Sequence, residues 1–162
     1  MKTKGFTLIE LLITIVVAVV LIGYGVPKLS DLYDSQRAQS AASRIQSTVL
    51  FARNQAMSYS ARVTICPLSN NSCGNNWRSG FSVFIEAADG SVVEVLRKID
   101  AFDGNDKLIF THNALRFDAN GSAGSTSGNF TYCASGKSDN ARRVEVQASG
   151  RSSLTSGNYS CG

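Results

Sequence analysis

The sequence is poor in the residues that build catalytic and metal sites. It contains one histidine, His112, and its four cysteines include no CxxC pair. An even number of widely spaced cysteines favours disulfides in an oxidising compartment over a zinc site, and disulfides leave no thiol free as a nucleophile. His112 then has no obvious partner for catalysis or for binding a metal. We therefore predict a protein with no catalysis of its own, no metal and no cofactor.

Charged residues are also scarce, at 17% of the 162 residues. The formal net charge is +4, but Lys2 and Lys4 lie in the first five residues, and without them the balance falls to +2. This basicity is weak evidence for a nucleic-acid partner. The length and the 43% hydrophobic content suit one globular domain with an appendage.

The appendage is a long apolar run over residues 6–26. A helix of ~20 residues spans ~30 Å, which is the thickness of the hydrocarbon core of a bilayer. The run is too long for the ~7–15-residue apolar region of a secretory signal peptide. The short basic start should keep the N-terminus on the cytoplasmic side. We therefore predict a single-pass membrane helix, with the rest of the chain on the other side of the membrane.

One carboxylate, Glu10, lies within this run. A carboxylate well inside a helix in lipid costs ~2.5–3.5 kcal/mol. Either Glu10 is close enough to the interface to reach water, or it has a function that offsets this cost.

Residues 27–58 have the pattern of an amphipathic helix that continues the first. Apolar residues recur at spacings of three and four, opposite a face rich in arginine, glutamine and asparagine. The predicted apolar face consists of Leu29, Leu32, Tyr33, Ala38, Ala41, Ala42, Ile45, Val49, Ala52 and Ala56. Between the two halves, Gly23, Gly25 and Pro27 predict a kink or a stretch, although small residues packing against membrane neighbours would explain them equally well.

From residue 59 onward the period changes to two. Short β-branched and aromatic runs such as "RVTIC", "GFSVFIE" and "RRVEVQAS" alternate with polar turns such as "SNNSCGNN" and "ANGSAGSTSGN". The pattern predicts an antiparallel β-rich head over residues 59–162, in one sheet or in two, with the apolar face of the helix as its cover. The expected fold class is α+β.

The start of the chain, "GFTLIELL", resembles the prepilin signature of type IV pilins and type II secretion pseudopilins. The resemblance implies that residues 1–5 are a leader, that a prepilin peptidase cuts between Gly5 and Phe6, and that Phe6 is then N-methylated. Glu10 becomes the fifth residue of the mature protein. When helices stack in a filament, its carboxylate can lie beside the new amine of a neighbour, and such a pair is favoured over two separated charges in a low dielectric.

Further segments, "ICP", "GFSVF", "LRFDANG", "FTYC" and "VEVQASGR", together resemble the GspH/FimT-like minor pilins and pseudopilins. This resemblance implies the pilin fold and a low-abundance subunit at or near the tip of a type IV pilus, which primes assembly together with other major and minor pilins. The expected location is the inner membrane with the head in the periplasm, and the cell exterior after assembly. A type II secretion pseudopilin is an alternative that the four cysteines disfavour slightly.

DNA capture is the main competing function. Some FimT-like members are thought to bind DNA through a C-terminal Gly-Arg-x-Arg motif, and this chain matches its first half with Gly150 and Arg151 but has Ser153 at the second arginine. Two arginines at that spacing could reach adjacent phosphates. The basic residues that could serve instead are Lys137, Arg142, Arg143 and Arg151. The same charges also suit a solvated strand edge that discourages aggregation.

Four cysteines allow three disulfide connectivities. The simplest is local pairing, in which Cys66 bonds Cys73 around a short loop and Cys133 bonds Cys161 to tie down the C-terminal tail.

Overall fold

A computed structural model describes residues 7–162, apart from the side chains of residues 24–27. The predicted cleavage site, Gly5 and Phe6, lies outside the described residues. The chain divides into two compact units, Met1–Asp34 and Ser35–Gly162.

One helix, α1 (Leu8–Tyr59), contains 52 residues and includes the positions at which a kink was expected. Pro27 does not end the helix, because a proline removes only one backbone donor while the flanking turns keep theirs. The helix ends where Ser60 takes a left-handed conformation with φ 48°. The amide of Ala61 then donates to the carbonyl of Ala56 at 3.2 Å, which satisfies a terminal carbonyl of the helix.

Ten strands follow in the described part of the chain. They are β1 (Val63–Cys66), β2 (Leu68–Ser69), β3 (Ser72–Cys73), β4 (Phe81–Glu86), β5 (Val92–Ile99), β6 (Lys107–Phe110), β7 (Leu115–Phe117), β8 (Gly128–Cys133), β9 (Arg142–Val146) and β10 (Ser152–Ser156). Short 3₁₀ turns occupy Trp77–Ser79, Gly124–Thr126 and Ala134–Gly136.

The strands form two antiparallel four-stranded sheets and a small hairpin. One sheet has the order β5-β4-β1-β7, the other has the order β10-β9-β8-β6, and β2 pairs with β3. The sequence had left open whether there would be one sheet or two. A long helix followed by an antiparallel β-rich head confirms the predicted α+β fold.

The core of the second unit lies between the helix and the two sheets. The helix contributes a strip of mostly small residues, and the sheets contribute aliphatic and aromatic ones, all in one cluster. Trp77 is buried, as expected of a core aromatic, and its ring meets Phe81, Phe110 and Phe130 at centroid distances of 5.0–5.6 Å. Edge-to-face contacts of this kind strengthen packing beyond the area they bury.

The predicted apolar face of the helix is only partly correct. Its members from Ala38 onward are buried, whereas Leu29, Leu32 and Tyr33 are 67%, 58% and 66% exposed. The buried members all belong to the second unit, where the sheets pack against them.

The cysteines form two disulfides, Cys66–Cys73 and Cys133–Cys161, with Cα atoms 5.5 Å and 6.1 Å apart. This is the local connectivity that was the simplest choice from the sequence. The second bond joins the tail to β8, near the strand end that leads into the Ala134–Gly136 turn.

Candidate assembly surface

The first unit presents an apolar helix surface that nothing in the described chain covers. Its large aliphatic side chains are between 50% and 78% exposed: Leu8, Ile9, Leu11, Leu12, Ile13, Ile15, Val16, Val17, Val19, Val20, Leu21 and Ile22. A helix that is apolar on all sides is normally buried, either in a membrane or among other helices. By length and composition α1 is able to cross a membrane.

Glu10 lies in the first turn of this surface and makes no ion pair with any described residue. Its backbone amide donates to the carbonyl of Thr7 at 3.1 Å, and the amide of Leu11 donates to the same carbonyl at 3.2 Å, so the helix begins in this turn. The next polar side chain, Thr14, satisfies its own hydroxyl by donating to the carbonyl of Leu11 at 2.8 Å. Glu10 is the only charged residue among residues 8–23.

Three of the polar contacts between the helix and the head of the second unit involve a buried charge or a residue of the predicted DNA site. The first centres on Asp106, whose side chain is 1% exposed and lies 2.8 Å from the guanidinium of Arg37. Asp106 also accepts hydrogen bonds from the hydroxyl of Tyr132 and from the amide of Ser135. Burial, and next the hydrogen bond to Asp106, raise the pKa of Tyr132.

The second contact is made by Arg142 at the start of β9. Its guanidinium donates to the Gln39 carboxamide at 3.1 Å and to the Ser35 hydroxyl at 3.2 Å, both on the helix. Arg142 was a candidate DNA ligand from the sequence. In the folded head its donors are engaged with the helix.

The third contact involves the glycine of the Gly-Arg pair. Arg53 of the helix donates to the carbonyl of Gly121 at 3.0 Å, and Gly150 has φ +81°. A Cβ at Gly150 would lie 2.0 Å from that same carbonyl oxygen. A glycine is therefore required here by close packing and backbone conformation, independently of any ligand.

The four basic residues of the predicted DNA site are not gathered in one place. Arg143 follows Arg142 in β9 and so points to the opposite face of the sheet, where its guanidinium lies 3.8 Å from the ring centroid of Tyr159. Arg151 is exposed and directly precedes β10. Arg142 pairs with Ser156 at the other end of β10, so the two arginines lie at opposite ends of the β9–β10 hairpin. Lys137 follows the Ala134–Gly136 turn.

Two of the buried charged groups, Asp106 and Glu86, have partners that were missed from the sequence. Asp106 lay in a segment, "FDGND", that was assigned to a turn. Glu86 ends β4, accepts a hydrogen bond from Thr64 at 2.8 Å and pairs with Arg116 at 2.9 Å. No local pattern marks either carboxylate, because their partners are at least 22 residues away in the chain.

Comparison with known proteins identifies the class of this fold. Two crystal structures of the type IV minor pilin FimU from Pseudomonas aeruginosa strain PAO1 resemble it, with TM-scores of 0.63 and 0.60 and sequence identities of 29% and 30%. The matches cover 74% and 72% of this chain, and 89% and 91% of the FimU chains. A comparison with curated proteins finds no match. The fold is that of a pilin.

Family models narrow the assignment. The type II transport protein GspH family matches residues 41–150, and the prokaryotic N-terminal methylation motif matches residues 1–25. This chain therefore belongs to the GspH family of type IV pilin-like proteins, which confirms the resemblance seen in the sequence. Membership supports a general minor pilin role, contact with other pilins and processing by a prepilin peptidase. The motif and the apolar helix fit anchoring in the inner membrane, and the family and fold are those of structural proteins.

Proposed function

We propose that this protein is a minor pilin that enters a type IV pilus at or near its tip and primes or supports pilus assembly. The observation that carries the proposal is the exposed apolar surface of residues 8–23 with Glu10 in its first turn. Burying a large aliphatic side chain contributes about 1.5–3 kcal/mol, so this surface favours lipid first and neighbouring helices later.

The N-terminal chemistry follows from the methylation motif. Cleavage between Gly5 and Phe6 creates an amine four residues before Glu10, which carries the carboxylate. Within one helix these groups are a turn apart, but an adjacent subunit shifted along the filament can bring its amine beside the carboxylate. Each charge is costly alone in apolar surroundings and is compensated when paired, so the pair sets the register of the incoming subunit.

The proposed location has two stages. Before assembly, the helix lies in the inner membrane and the head is in the periplasm, where disulfides such as Cys66–Cys73 and Cys133–Cys161 form and persist. After assembly the head is extracellular. Processes that depend on pili, such as twitching, adhesion and DNA uptake, would then require this subunit indirectly.

A type II secretion pseudopilin is an alternative that remains open because the GspH family is one of type II transport proteins. We favour the pilus because the similar solved structures are of a type IV minor pilin. Deleting the gene and scoring surface pili and secretion separately distinguishes the two. We expect fewer surface pili and unchanged secretion, and the reverse result would favour the pseudopilus.

A DNA receptor for natural transformation is the second alternative. Arg151 is exposed and could contact phosphate, although Arg142 and Arg143 are engaged within the head. If the head binds DNA through phosphates, its affinity should fall steeply with salt and be lost on Arg151→Ala. We expect no such binding, and tight, salt-sensitive binding lost in that variant would reverse the ranking.

The direct test of the assembly proposal is Glu10→Ala, expressed in cells that lack the wild-type gene. Membrane insertion should persist, while the amount of protein in sheared pili should fall about a hundredfold, since an unpaired amine in apolar surroundings costs ~2.5–3.5 kcal/mol. Thr14→Ala is the matched control, because the Thr14 hydroxyl is satisfied within its own helix. Wild-type amounts of the Glu10→Ala protein in pili would refute the pairing.

A further inference from the structure

A polar pocket on the head has no role in the proposed assembly. Its volume is about 510 Å³, which lies within the range of small-molecule sites. The β2–β3 hairpin forms one wall, and the end of β5, with Lys98 and Asp100, forms another. The hairpin wall is held by the Cys66–Cys73 disulfide and by a 2.7 Å hydrogen bond from the Gly74 amide to the Pro67 carbonyl.

Ser82 of β4 lines the pocket and is only 7% exposed. Its neighbours Phe81 and Val83 lie in the core, so Ser82 faces the other side of the sheet. The Ser82 hydroxyl makes no hydrogen bond to any residue in the described part of the chain. The hydroxyl is not sealed off from solvent, so its hydrogen-bond partner comes from the pocket, either a water molecule or a ligand that replaces it.

The remaining polar groups of the pocket carry both donors and acceptors. The exposed carboxamides of Asn75 and Asn76 have no hydrogen-bond partner among the described residues, and each offers two donors and an acceptor. Lys98 makes no ion pair with a described residue, while the carboxylate of Asp100 is 96% exposed and 3.8 Å from Arg44. With one cation and one anion, the rim of the pocket has no net charge.

This set of groups discriminates between ligand classes. A phosphate or sulfate group would select several cations, and an apolar ligand would leave the carboxamides and the Ser82 hydroxyl unsatisfied. Each hydroxyl on a sugar ring can both donate and accept a hydrogen bond. Carboxamides and hydroxyls in the pocket need partners of both kinds, and the carboxylate needs a donor. Pro67 and Leu68 add an apolar wall for the C–H face of a ring.

We propose that this pocket binds a neutral saccharide, with the Ser82 hydroxyl as the hydrogen-bonding group at its floor and Asn75 and Asn76 at its rim. The ligand class is a hexose unit exposed on a glycan. A single hexose has about a dozen non-hydrogen atoms, so its dissociation constant should be about 1 mM, and affinity for a surface would come from many weak contacts. The site gives the head an adhesive activity that is separate from pilus priming.

The backbone around the pocket is held in a fixed shape. Gly80 has φ +96°, and a Cβ there would lie 2.4 Å from the carbonyl oxygen of Ile99, so β5 approaches this turn as closely as a glycine permits. Together with the Cys66–Cys73 bond this positions both walls before a ligand arrives. Such preorganisation reduces the entropy that binding must overcome.

Saturation-transfer NMR on the full chain in detergent micelles tests the proposal, with glucose, galactose, mannose and N-acetylglucosamine as separate probes. At least one of these hexoses should bind. Ser82→Val should weaken its binding about tenfold without destabilising the head, because valine suits a strand and replaces the hydroxyl with methyl groups that form no hydrogen bond. Asn75→Ala combined with Asn76→Ala should weaken it at least as much.

Asn71→Gly is the matched control. Asn71 belongs to the same hairpin, has φ 61° and does not line the pocket, so glycine keeps the turn and hexose binding should not change. Glucuronic acid serves as the acidic counterpart of the neutral probes. Failure of every hexose to bind, binding that Ser82→Val and the double asparagine variant both leave unchanged, or binding of glucuronic acid alone would each overturn the proposal.

Discussion

The two halves of α1 carry apolar residues of different size, exposed to different extents. Residues 8–23 contain leucine, isoleucine and valine side chains that are at least half exposed. After Ser35 the buried face is largely alanine, with Ala38, Ala42, Ala52 and Ala56 all at 0% exposure. Alanines let the helix backbone approach the sheets closely, whereas large aliphatic side chains fill the space against lipid or another helix. One secondary structure thus serves folding in one half and, we propose, assembly in the other.

We therefore expect substitutions in the two halves of α1 to have different effects. Changes in the second half should alter the stability of the head and leave membrane insertion intact. Changes in the first half should alter processing or assembly and leave the head folded. A substitution in one half that produced the effect expected of the other half would show that the halves are not independent.

The largest effect should come from the leader junction. Gly5→Val should leave the leader attached to all of the protein, because a peptidase pocket that accepts glycine has no room for a branched side chain. Mass spectrometry of the protein from membranes measures this directly. Gly23→Val, inside the helix but away from the junction, should still be cleaved. A wild-type chain that still begins at Met1 would contradict the prepilin interpretation.

The next effect concerns the buried carboxylate of the second half. Asp106→Asn should lower the free energy of unfolding by about 3 kcal/mol, because it leaves the largely buried Arg37 guanidinium without its closest anion. Thermal unfolding of the full chain, followed by circular dichroism, measures this. Asp103→Asn is the control, since its side chain is 48% exposed and 3.9 Å from Arg37, and it should change stability by less than about 0.5 kcal/mol. Equal effects of the two variants would show that Asp106 does not hold the helix.

A pair of identical substitutions compares the halves most directly. Ala42→Leu inserts three carbons into a fully buried position and should destabilise the head by about 1–3 kcal/mol. Ala18→Leu makes the same change on the exposed apolar surface and should leave the stability of the head unchanged. The same unfolding assay serves both. A destabilised Ala18→Leu protein would mean that the first half does contribute to folding of the head.

The smallest effect should appear in the alkaline range. The pKa of Tyr132 is raised, so the folded head keeps this proton at pH values where the unfolded chain, with an ordinary pKa of about 10, has lost it. The stabilisation from Tyr132 is therefore fully present below about pH 10 and is lost as the pH rises above it. Tyr132→Phe should lower stability by about 1 kcal/mol at neutral pH and reduce the alkaline loss. Tyr59→Phe, an exposed control, should keep the wild-type pH profile.

Local patterns in the sequence predicted the elements but not their partners. The change of period near residue 59, the apolar run and the prepilin signature each lie within a short stretch of chain, so each could be interpreted without tertiary contacts. Leu29, Leu32 and Tyr33 share the apolar period of the helix, yet they are exposed. Periodicity shows that a face is apolar, and it does not show what the face contacts.

The sequence by itself determined the class of fold, the anchor-like helix, the family and the position of Glu10, because composition, periodicity and motif order are all local properties. Only the tertiary structure decided the division into two sheets, the burial of Asp106, the engagement of Arg142 with the helix and the pocket over Ser82. Each of these depends on groups brought together from distant parts of the chain. Asp106 shows the reason most clearly: its partners Arg37 and Tyr132 lie 69 residues before it and 26 residues after it.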